Sequence, residues 1–122
     1  MIILKEETQP LVEMAQFKGF GITIEVRSDD HGRFGNKESP AHAHAHVIDN
    51  QGKKNAQIVL ASINPPTKPE DIIWHRTDNP STSLGLKIIK LVNSKSKSAE
   101  KAGRSGIVWQ SIMEQWFNFH GD

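Results

Sequence analysis

Twice in its first half the chain alternates apolar and polar residues with a period of two. Phe20, Ile22, Ile24 and Val26 are interleaved with Gly21, Thr23, Glu25 and Arg27; further on, Ala41, Ala43, Ala45 and Val47 are interleaved with His42, His44 and His46. Successive side chains of a strand point to opposite faces, so each stretch is expected to be a strand with one packed face. A third strand is expected over residues 56–63, where Ile58, Val59, Leu60 and Ile63 fall on both faces, as in a central or covered strand. Between the first two strands, residues 28–39 are polar and broken by Gly32 and Gly35, which makes them a long loop. Residues 49–54 turn the chain between the second and third.

The period changes in the second half. Pro65, Pro66 and Pro69 remove three backbone donors, so residues 64–69 can be neither helix nor central strand, and Ile72, Ile73 and Trp74 form a short apolar segment after them. Ser81 or Ser83 then caps a helix whose Leu84, Ile88, Leu91 and Val92 recur at i, i+4, i+7 and i+8. Gly85 weakens that helix by about 1 kcal/mol relative to alanine. Ile107, Val108, Ile112, Trp116 and Phe119 predict a second amphipathic helix ending before Gly121. Residues 1–18 show no clean period and read as an N-terminal extension; residues 93–106 read as a mobile basic connector. With 122 residues the expectation is one domain of the α+β class. It would be a small antiparallel β-meander of three to four strands, with two C-terminal helices packed on one face.

Composition narrows the chemistry. There is no cysteine, so any metal or acid–base site rests on histidine and carboxylate. No apolar run approaches the roughly 20 residues that span a bilayer, and the N-terminus lacks the features of a signal peptide, so a cytoplasmic location and no membrane are expected. The net charge of +1 argues against a general polyanion binder. The charge is uneven, however: residues 87–104 hold Lys87, Lys90, Lys95, Lys97, Lys101 and Arg104 against Glu100 alone. Lys95, Lys97, Lys101 and Arg104 are the candidate contacts to phosphate or nucleic acid.

The histidine strand supports three readings. His42, His44 and His46 are candidate ligands for a divalent transition metal such as zinc, since alternate strand positions have side-chain roots about 7 Å apart and imidazole is a common ligand. His31, His75, Asp29, Asp30 or Glu38 would complete the sphere. A second reading is histidine chemistry on a phosphate. Residues 42–48 resemble the motif His-φ-His-φ-His-φ-φ, φ apolar, of the histidine triad hydrolases and transferases; that likeness implies His44 as the nucleophile, with His42 as the other catalytic candidate. The motif sits early in this chain, and alanine fills its apolar slots. In the third reading the alanines pack beneath helices and the histidines form a sheet face partly open to water.

The order of elements is similar to a bacterial family catalogued as domain of unknown function 4160. The likeness rests on Asp30 and His31 in the loop and on Pro40, His42 and His44 in the strand, over residues 19–119; Ala41 and Ala43 depart from the family's Pro-His-aromatic-His pattern. The resemblance implies a small bacterial module acting with a protein partner, as toxin–antitoxin pairs do, and with nucleic acid in some settings. The functional expectation is therefore an interaction or regulatory module with a histidine-lined sheet face. The alternative is a metal- or histidine-dependent phosphoester hydrolase or ribonuclease, or a nucleotidyl hydrolase of the histidine triad type.

Overall fold

A computed structural model describes residues 13–28, 43–50, 55–60, 64–78 and 80–120, the side chain of His120 excepted. Four strands, β1 (Met14–Gly19), β2 (Ile22–Arg27), β3 (His44–Asp49) and β4 (Asn55–Val59), form one antiparallel sheet in chain order. Three helices follow: α1 (Thr82–Val92), α2 (Lys97–Lys101) and α3 (Val108–His120). The α+β meander is the expected architecture.

Lateral rows of paired residues define the two faces of the sheet. Phe17 pairs with Ile24, Ile24 with Val47 and Val47 with Ala56, a continuous apolar row on one face. Helix α1 lies on that face, because Leu91 Cδ1 comes within 3.0 Å of where a Cβ on Gly19 would stand. Ile22, Ile24, Val26, Ala45 and Val47 from the sheet share one buried core with Ile88, Leu91 and Val92 of α1 and Val108, Trp109, Ile112 and Trp116 of α3. Helix α1 starts where the sequence places it: Ser81 accepts a hydrogen bond from the Leu84 amide at 3.0 Å, a capping contact to one of the first-turn donors that lack a partner.

Four expectations are corrected. Phe20 is in the turn, not the strand: Phe20 and Gly21 have φ of 54° and 82°, form the two-residue loop between Gly19 and Ile22, and leave Phe20 half-exposed. Positive φ at both positions is the hairpin geometry whose twist matches that of the flanking strands. Second, the extension assigned to residues 1–18 includes a full edge strand, β1, with Ala15, Phe17 and Gly19 inward and Met14, Gln16 and Lys18 outward. Third, residues 93–106 carry helix α2 and are pinned to α3. Ser96 caps α2 at the Ala99 amide, its hydroxyl lies 2.6 Å from that of Ser111, and Lys95 bridges to Ile107. Among the described residues there are thus three helices after the sheet, where two are expected. Fourth, β4 ends at Val59; of the expected strand, residues 61–63 lie outside the described residues, as do residues 41 and 42 of the histidine strand and the loop over residues 29–39.

Candidate functional site on the polar sheet face

The second face carries a row of different chemistry. Gln16 pairs with Glu25, Glu25 with His46 and His46 with Gln57, so four polar side chains cross all four strands side by side. The row continues beyond β4, where the chain returns after the proline-rich stretch: the Val59 amide donates to the Ile73 carbonyl at 2.8 Å and the His75 amide to the Gln57 carbonyl at 2.9 Å. Thr77 locks this return. Its hydroxyl accepts from the Gln57 amide at 2.9 Å and donates to the His75 carbonyl at 2.8 Å. His75, which reads from sequence as a surface or hydrogen-bonded residue, is thereby carried to the histidine strand.

Three imidazoles meet there. The ring of His44 stands 5.3 Å from that of His46 at 67° and 5.1 Å from that of His75 at 34°, and it also contacts Trp116 of α3 at 5.6 Å. His44 is only 4% exposed, while His46 and His75 are partly open. The β2–β3 ladder ends at Glu25 and His46, whereas the β3–β4 ladder runs on to His44 and Val59. His44 therefore lies where β3 has parted from β2, and Trp116 reaches it at that point.

Glu25 is the residue that the sequence reading missed. Its carboxylate is 7% exposed and accepts from Gln16 Nε2 at 2.6 Å, Arg27 Nε at 3.0 Å and Arg27 Nη2 at 2.8 Å. Burial pushes its pKa upward, but the hydrogen bonds from Gln16 and Arg27 and the positive charges of Arg27 and His46 together outweigh burial and hold the carboxyl below the ordinary glutamate range. In sequence Glu25 is one of three polar residues alternating with apolar ones, which reads as a solvated face; only the register reveals its neighbours.

The residues named from sequence are distributed as follows. His44 and His46 are neighbours on the polar face; His42 lies outside the described residues, as do Asp29, Asp30, His31 and Glu38. The metal set His42, His44 and His46 is thus described at two of its three members. Among the described residues no group of three His, Cys, Asp or Glu side chains is arranged to hold a metal ion. Lys95, Lys97, Lys101 and Arg104 are all exposed, but they are not equivalent. Arg104 Nη1 is held by Glu114 Oε2 at 2.6 Å, on the rim of a 440 Å³ groove lined also by Met113 and Phe117. Lys87 is engaged by Asp49 at 3.8 Å.

No helix among the described residues is long and apolar enough to cross a membrane. No family model, curated protein or solved structure matches the chain.

Proposed function

We propose that the chain is an interaction or regulatory module whose contact surface is the polar sheet face bearing Gln16, His46, Gln57 and His75, with a protein as its partner. The observation that carries this reading is the enclosure of His44. A nucleophilic or acid–base imidazole must reach the reacting atom within hydrogen-bond or bonding distance. At 4% exposure, packed against two imidazoles and an indole, His44 serves as the floor of a surface, with His46 and His75 as its accessible part. The hydrogen bonds from Gln16 and Arg27 to the buried Glu25 carboxylate support the same role, because they fix the positions of groups a partner would meet.

Quantitative affinity capture from the cells that make the protein tests this, comparing wild type with Gln57→Arg and His75→Ala. A partner recovered reproducibly by the wild type and lost by both variants, with unchanged circular dichroism, is the expected result. Recovery of no reproducible partner, or retention of the partner by both variants, refutes it. Turnover of a phosphodiester by untagged wild type that disappears in His44→Asn would establish the rival hydrolase of the histidine-dependent type instead.

A further inference from the structure

The three helices carry a second surface, independent of the histidine face. Within twelve residues the chain presents Lys90 in the last turn of α1, Lys95 in the link, and Lys97 and Lys101 at the two ends of α2. All four are exposed, and none is paired with a carboxylate among the described residues. Glu100 is the one acidic residue of residues 87–104, and neither Lys97 nor Lys101 forms an ion pair with it. Lys97 and Lys101 stand four apart on one helix face, an arrangement of like charges that is unfavourable in the free protein. The other two basic groups of the stretch behave differently, since Lys87 is held by Asp49 and Arg104 by Glu114.

The backbone beneath these lysines is fixed. Ser96 N donates to the Gly106 carbonyl at 2.9 Å, Val108 N to the Ser94 carbonyl at 2.9 Å, and the buried Ser96 hydroxyl contacts Ser111. The charges are therefore displayed from a fixed corner, in contrast to the mobile connector that their composition suggests. No aromatic residue occurs in residues 90–106, and the exposed ring nearest in the fold, Phe117 of α3, borders the groove that Ala99 of α2 also lines. Lysine supplies strong point charges to phosphate, and contacts to phosphate carry no sequence information.

We propose that the corner formed by the end of α1, the link and α2 is a docking surface for the phosphate backbone of a nucleic-acid duplex, with Lys90, Lys95, Lys97 and Lys101 as its contacts. Binding is independent of base sequence and strongly dependent on salt. Displacing counterions from four phosphates gives a slope of about −3.6 in log affinity against log salt, so affinity falls about 150-fold between 50 and 200 mM.

Fluorescence anisotropy of the full chain with labelled 20-base-pair DNA and RNA duplexes tests this, across that salt range. The double variant Lys97→Gln/Lys101→Gln should halve the slope, leaving about a tenfold loss over the same range, while Lys68→Gln on the proline-rich link should match wild type. The DNA and RNA arms identify which duplex is preferred. Absence of binding to either duplex at 50 mM salt, or a double variant indistinguishable from wild type, overturns the proposal. Equal binding to poly-glutamate at equal charge and salt also overturns it, by showing a general preference for polyanions that includes acidic proteins.

Discussion

Replacing Glu25 by glutamine changes one oxygen for one nitrogen in the middle of the polar row. The carboxylate accepts three hydrogen bonds, two of them from a guanidinium, and hydrogen bonds to charged groups are each worth about 1.5–3 kcal/mol. The full sum overstates the loss on two counts. Arg27 is 35% exposed and regains water when released, and the wild type already bears the cost of burying the charge. Glutamine also keeps one acceptor. A destabilisation of about 2 kcal/mol for Glu25→Gln follows at pH 7, measured by urea unfolding with tryptophan fluorescence. The pH dependence discriminates further. The folded carboxyl titrates below its unfolded value of about 4.3, so its contribution is complete well above that pH and is lost as acidity passes down through the lower folded value. The gap between wild type and variant should therefore close in acid. A variant within 0.5 kcal/mol of wild type at pH 7 would refute the network as a source of stability, and so would a gap that persists undiminished once the wild-type carboxyl is protonated, with ~0.5 kcal/mol being the usual scatter of surface substitutions.

Three further outcomes are expected. Ser81→Ala leaves the Leu84 amide without its cap and should cost about 1 kcal/mol of stability by the same urea assay. Phe20→Asn places a residue that tolerates left-handed φ in the turn and removes a half-exposed ring; it should raise the melting temperature, with a gain of about 0.5–1 kcal/mol. Ser96→Ala strips a nearly fully buried hydroxyl from both the Ala99 amide and Ser111 and should cost about 1–3 kcal/mol, with amide exchange quickening first in α2.

The parts of the fold that the sequence made legible are those with a strong period. Ile22, Ile24 and Val26 and the α1 stripe bury what their spacing says they should, as do Val108, Ile112 and Trp116 of the α3 stripe, while Ile107 and Phe119 are partly buried. Strand β1 escaped because Leu11, Val12 and Met14 lie close to Ala15 and Phe17 and obscure the alternation, although the strand itself alternates. Phe20 misled for the opposite reason: it continues the even-numbered apolar series by one residue into a turn. Helix α2 was hidden by lysine and serine, whose short capped helix depends on Ser111, fifteen residues from Ser96. The histidine face was half legible. Period two put His44 and His46 together, but the arrival of His75 depends on backbone bonds from the proline-rich return to β4, and the company of Glu25 depends on the register of three strand pairs. Neither is encoded locally.

The strands of the meander are separated by very different lengths of chain, two residues between β1 and β2, five between β3 and β4, and sixteen between β2 and β3. The entropy cost of bringing strand ends together rises with the length of chain between them, so the central pairing starts behind the first hairpin. The β2–β3 seam is therefore the pairing that closeness along the chain helps least. Glu25 and His46 face each other across that seam, so the polar row spans the least local joint of the sheet. Substitution of His46 at that seam is expected to hasten unfolding more than it slows folding, a division that folding and unfolding rates measured across urea concentrations read directly.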